Sequence, residues 1–169
     1  MNRTEEKIEE VLESVKESYC LPLTGLIENY TNSPIETLFL LHLLNYLDPF
    51  VIDSRKDGDG YIDYISSSQG SHGGVWHIEP QFEIQKYLIV DFVILFPQYS
   101  KLKIVIECDG HDFHEKTKEQ VKKDKQRDRT LTKLGFKILR FSGSEIYNNP
   151  KNCVMEIEEL VLASMAGKA

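Results

Sequence analysis

Two short apolar runs constrain this chain most: Leu88-Ile89-Val90-Asp91-Phe92-Val93-Ile94 and Ile104-Val105-Ile106-Glu107-Cys108-Asp109-Gly110. Both are rich in β-branched and aromatic residues and bounded by turn formers, which predicts buried strands. Each carries acids where carboxylates rarely occur. Side chains alternate along a strand, so Glu107 and Asp109 face one way and Cys108 the other. If the two strands pair, the carboxylates of Asp91, Glu107 and Asp109 converge. Burying several like charges without a counter-ion is very unfavourable, and hard oxygen donors suit Mg²⁺ or Mn²⁺ rather than zinc. Two readings are open at this point: a divalent metal centre, or strand-end acids that are solvated or paired with Arg127 and Arg140.

The rest of the chain supplies layers for those strands. Ile8, Val11, Leu12 and Val15 recur at helical spacing among glutamates and predict an amphipathic helix over 4–18. Ser33 as N-cap, Pro34 at the first helical position and the apolar body Leu38 to Leu47 predict a buried second helix. Residues 48–74, rich in Asp, Ser and Gly, read as a polar connection whose stretch 66–74 is a mobile loop. Short β-rich runs at 75–78, 82–84, 87–95 and 103–108 suggest an antiparallel meander. A charged helix over 115–134 ended by Gly135, a strand over 137–141 and a terminal helix over 152–165 follow. A meander and then strand, helix, strand implies an α/β fold with a mixed sheet flanked by helices, because a parallel return needs a crossover.

With 169 residues the chain reads as one domain, an N-terminal helix and linker over 1–32 preceding the body 33–169. Its net charge of −7 is the opposite of a simple electrostatic nucleic-acid binder. The charge is uneven, however: residues 1–100 hold 6 basic and 16 acidic side chains, and 101–169 hold 14 and 11. Any anion-binding surface is therefore expected in the C-terminal part. Cys20, Cys108 and Cys153 have no framework spacing and the charged start is unlike a signal peptide, so a reducing cytoplasm is expected. No apolar run is long enough to span a membrane.

Several segments together resemble the PD-(D/E)XK nuclease superfamily, and more closely the small bacterial and phage proteins related to very short patch repair endonucleases. The resemblance is carried by Ser33-Pro34-Ile35-Glu36, Glu79-Pro80-Gln81, Tyr87 to Phe92, Glu107 to His114, Asp124-x-x-Arg127-Asp128 and Gly135 through Ile146. It implies a restriction-endonuclease-like fold and Mg²⁺-dependent phosphodiester hydrolysis, Mn²⁺ substituting. Asp91, Glu107 and Asp109 would surround the metal, with Glu36 approaching from the early helix. One departure matters: the third motif position, usually Lys, is Asp109. A second metal or a basic residue from elsewhere would have to replace it, or activity is lost. Glu36 has a second reading as the glutamate of a capping box with Ser33.

Around that core, Gln81 and Gln85 share a strand face and are candidates to position phosphate or water, and His111 is a phosphate-facing candidate. The helix over 115–134 has two faces. Val121, Leu131 and Leu134 mark a buried stripe that also contains Asp124, Arg127 and Asp128, either orienting the carboxylates or forming an ion-pair network to Arg140. Lys118, Lys122, Lys125, Arg129 and Lys133 lie opposite, as DNA phosphate contacts or as a solvated face. Cys108-x-x-His111-x-x-His114 is rejected as a zinc site, since Cys108 points away from the acids and no fourth ligand is evident. The segment 56–63 fails as a calcium loop, because Arg55 and Ser66 fall at its first and last ligand positions. The expected activity is DNA endonuclease. The rivals are an inactive nucleic-acid-binding module of the same fold, and a non-catalytic domain whose acidic N-terminal half binds a partner protein. Besides DNA, a homodimer or a partner protein is an open expectation.

Overall fold

The computed structural model describes residues 2–19, 30–47, 50–55, 62–66, 76–95, 102–110 and 117–166. Among them run α1 (Arg3–Tyr19), α2 (Pro34–Tyr46), β1 (Phe50–Arg55), β2 (Ile62–Ser66), β3 (Trp76–Gln85), β4 (Leu88–Leu95), β5 (Lys103–Asp109), α3 (Lys118–Lys133), β6 (Phe136–Ser142), α4 (Gly143–Asn148) and α5 (Pro150–Met165). The strands form one mixed sheet of order β2-β1-β3-β4-β5-β6. β3, β4 and β5 pair antiparallel, while β6 lies parallel to β5 after the α3 crossover. The α/β fold with helices on a mixed sheet is thus realised.

Three expectations about elements need correction. The connection 48–74 holds strands β1 and β2, because Phe50-Val51-Ile52 and Ile62, Tyr64 and Ile65 are β-formers that the surrounding Asp, Ser and Gly mask. The separate runs 75–78 and 82–84 are one strand, β3, which carries Pro80 internally and absorbs it at an irregularity marked by the positive φ of Gln81, 48°. The short helix α4 was not anticipated from periodicity, although Ser142 and Glu145 form a reciprocal capping box at its start. Residues 67–75, including most of the expected mobile loop, lie outside the described residues, as do Cys20 and 56–61.

The core has two parts, one on each sheet face. Ile104 and Ile106 enter a large core with Val15 of α1, Leu38 to Leu44 of α2, and Cys153, Val154 and Ile157 of α5. The intervening Val105 enters a smaller core with Val90, Val93, Phe136 and Leu131 of α3. On α2, Phe39 packs edge-on to Phe92 at 6.0 Å and tilted against Phe141 at 5.5 Å. One helical turn earlier on the same face stands Glu36, so this aromatic contact fixes that acid over β4.

Of the stripe expected on α3, Leu131 is buried but Val121 and Leu134 are 38% and 39% exposed. The helix begins at Lys118 with a Thr117/Gln120 capping box and ends at Gly135, whose φ of 86° suits glycine. A single buried leucine is little apolar anchorage for 16 residues. Ion pairs to the sheet supply the rest, as described below.

His42 of α2 is buried, stacked on Tyr46 at 6.0 Å, and neither imidazole nitrogen has a hydrogen-bond partner among the described residues. Burial, aided by Lys7, lowers its pKa from 6.5 to about 4. Between those values the unfolded chain binds the proton more tightly, so stability falls as the pH drops from 6.5 towards 4. His42→Phe keeps the ring stack and removes the titration. Denaturant melts at pH 8 and pH 5 should show the wild type losing about 2 kcal/mol more than the variant over that interval.

Candidate active site

Residues two apart on a strand share a face. In β3, Trp76 and Ile78 belong to the large core, yet Phe82 and Ile84 pack against the small one. β4 shows the same exchange: Phe92 and Ile94 enter the large core, Val90 and Leu88 the small one. The alternation therefore slips by one residue in both strands, between the cross-strand pairs Pro80↔Phe92 and Phe82↔Val90. The residues at the slip are Gln81 and Asp91.

At this level β4 and β5 also part. Their ladder ends at Phe92↔Ile106, and the Asp91 carboxylate takes the next free donor, the Cys108 backbone N–H, through Oδ2 at 2.7 Å. Asp91 feels both Glu36 from the α2 side and Arg127 from the α3 side, so it lies where the two faces meet. The β5–β6 ladder continues, through Glu107↔Arg140 to Asp109↔Ser142.

Glu107 is buried. Arg127 of α3 reaches its Oε1 with Nε at 2.8 Å and Nη2 at 2.7 Å, and Nη2 also donates to the Ile89 carbonyl. Asp109 accepts from Arg140 Nη1 at 3.3 Å, while Nη2 of the same arginine holds Asp128 at 2.7 Å. Arg127 therefore serves Glu107, not Asp124 or Asp128, because the helix aims it at the strand beside it. Asp124 is half-buried one turn before Asp128.

Glu36 does not close the expected capping box: Ser33 Oγ accepts from the Glu36 N–H at 3.3 Å, but the Glu36 carboxylate does not take the Ser33 N–H. Its Oε1 accepts from the Ser33 hydroxyl at 2.7 Å, and its Oε2 from the Asn32 N–H and from Gln81 Nε2, both at 2.8 Å. The backbone donor is that of Asn32 rather than Ser33. Asn32 in turn donates its side-chain amide to Gln81 Oε1. Gln81 thus braces Glu36, whereas Gln85 is exposed at the end of β3. Asn32 is the site residue that spacing did not single out; its position just before the N-cap was the available signal. His111 lies outside the described residues, and Lys118, Lys122, Lys125 and Arg129 are all exposed on α3.

The charges are unbalanced. Burial pushes Asp91 from 3.8 up to about 7; Glu107 and Glu36 push the same way, against the Cys108 N–H and Arg127. Glu107 is raised by burial too, and Arg127 only partly offsets it. Burial drives the Cys108 thiol well up, and Asp91, Glu36, Glu107 and Asp109 all add to it, which places four acids around one strand position. Such a group, built of carboxylate oxygen, fits a hard divalent cation by its chemistry. Among the described residues no three His, Cys, Asp or Glu side chains are arranged to hold an ion. Arg127 and Arg140 engage Glu107 and Asp109 instead.

The α/β fold is restriction-endonuclease-like. The profile of one such family, REase_MTES_1575, matches residues 71–161, more than half of the 169, and the chain belongs to that family. No curated protein and no solved structure matches the chain. The matched stretch contains Asp91, Glu107, Asp109, Arg127 and Arg140; Glu36 precedes it. Among the described residues no helix is long and apolar enough to cross a membrane.

Neutralising Asp91 should stabilise the metal-free protein. Its folded pKa lies above its unfolded one, so ionised Asp91 opposes folding fully above pH 7 and not at all below about 3.8. Asp91→Asn keeps an acceptor for Cys108. In EDTA it should gain about 1–3 kcal/mol at pH 8 in denaturant melts, and the gain should vanish near pH 4.

Proposed function

We propose that this protein is a metal-dependent endonuclease that hydrolyses DNA phosphodiester bonds. The observation that carries the reading is the acid group itself: Glu36, Asp91, Glu107 and Asp109 gather around Cys108 with Asp91 held up to about 7. A fold keeps mutually repelling buried carboxylates when they have a function that needs them. Asp91, Glu107 and Asp109 would hold Mg²⁺, or Mn²⁺ in its place. When bound, the ion would polarise the scissile phosphate and lower the pKa of an attacking water.

The remaining roles belong to the chain's own groups. Glu36, hydrogen-bonded by Asn32, Ser33 and Gln81, acts on Asp91 through its field. Arg140 links Asp109 to Asp128 and so fixes the strand end against α3. Lys118, Lys122, Lys125 and Arg129 form an exposed basic row on that helix, suited to DNA phosphates. Family membership supports a nuclease; the cytoplasm, where DNA is reached, is the compartment this reading requires. The inactive-module reading is favoured by one observation, Asp109 in the place of the motif lysine.

Plasmid and branched DNA incubated with Mg²⁺ or Mn²⁺ should be cut by the wild type and not by Glu107→Ala. Divalent metal should raise the melting temperature of the wild type alone, since it binds only the assembled site. DNA binding without cleavage in any divalent metal would identify the inactive module; no DNA affinity at low salt would identify a protein-interaction domain. Reversing Lys118, Lys122 and Lys125 to Glu should cost under about 0.5 kcal/mol of stability each. DNA affinity should fall, and its salt dependence flatten by roughly one unit of slope per lost phosphate contact.

A further inference from the structure

The acid cluster has two arginines, and they are not held alike. Arg140 sits on β6 and makes its shorter contact, 2.7 Å, to Asp128, an acid of α3 outside the cluster. Its contact to Asp109 is longer, 3.3 Å. Arg127 pairs, among the described ion pairs, with Glu107 alone, and both its Nε and its Nη2 converge on one oxygen, Oε1. The guanidinium thus occupies one of the two carboxylate oxygens and sets its charge beside the other, where a cation would bind. The arginine is the more exposed partner, 27% against 10% for the glutamate side chain. Its helix has one buried apolar anchor, Leu131. The Nη2 contact to the Ile89 carbonyl does not involve the cluster and can persist when Glu107 is released.

We infer that Arg127 is a displaceable counter-ion of Glu107, which offsets that one carboxylate before metal arrives and competes with a divalent cation for it. This rests on the proposed metal-dependent reading of the same site. A fixed positive charge that lies against a cation's ligand both occupies the donor and repels the incoming charge, so it lowers metal affinity. In return the protein without metal escapes an uncompensated buried carboxylate. Arg127 therefore sets how much metal the site requires, and on release its guanidinium stays beside β4 with donors for a phosphate oxygen.

The experiment is Mn²⁺ binding to the full chain, read by calorimetry and by the electron paramagnetic resonance of free Mn²⁺. Wild type should bind and Glu107→Ala should not; if the wild type binds no Mn²⁺, both the metal-dependent reading and this inference fall. Arg127→Gln should bind about tenfold more tightly than wild type, the charge having been removed. Arg127→Lys should fall between, because it keeps the charge without the fork. Lys137→Gln, an exposed charge of β6, controls for net charge and should leave the affinity within about twofold. Equal or weaker binding by Arg127→Gln, with wild-type binding intact, overturns the inference and makes Arg127 an orienting partner of Glu107. Should Arg127→Gln fail to fold, the Arg127 Nε–H resonance of the wild type decides. It should shift and exchange faster as Mg²⁺ saturates, and an unmoved signal at saturation contradicts displacement.

Discussion

The slip in side-chain alternation at Gln81 and Asp91 is the constraint on which the rest of the site depends. Without it, Asp91 would take a single sheet face, either in the large core or in the small one. With it, β3 and β4 trade faces at one level, and a carboxylate stands at the seam within reach of influences from both. The parting of β4 from β5 at the same level leaves the Cys108 N–H for Asp91 to accept. Backbone irregularity of this kind is commonly found where a sheet re-aims a side chain for function.

Burial gives the seam its chemistry. Phe39, wedged against Phe92 and Phe141, brings α2 down so that Glu36 adds its charge to the cluster. α3, with little apolar anchorage, is tied to the sheet chiefly through Arg127 to Glu107 and Asp128 to Arg140. The same bonds that dock the helix therefore hold the acids. On the proposed metal-dependent reading, stability and function compete for one set of carboxylates, which is the physical basis for treating Arg127 as exchangeable and Arg140 as structural.

Much of this was legible from residue order. β4, β5, α2 and α5 announce themselves by β-branched density, by capping residues and by apolar runs, and the three strand acids stand out because apolar neighbours surround them. β1 and β2 did not, since their few β-formers are embedded in a segment rich in Asp, Ser and Gly, and Pro80 made one strand look like two. Helical spacing placed Arg127 and Asp128 on the inner face of α3 but could not say which acid each would meet, because partners on other elements are set by packing. It also over-read Val121 and Leu134 as buried: a wheel counts apolar residues, while ion pairs position this helix. The slip at Asp91 was hidden for the same reason, being visible only once two cores are known.

Entry of a divalent cation into the acid cluster at the seam is the central claim. Crystals grown with Mn²⁺ and measured at the manganese absorption edge test this directly. The predicted result is one anomalous peak among Asp91, Glu107 and Asp109, with the Arg127 guanidinium withdrawn from Glu107. An intact Arg127–Glu107 pair with no peak at the cluster, under Mn²⁺ that saturates any site, would contradict it.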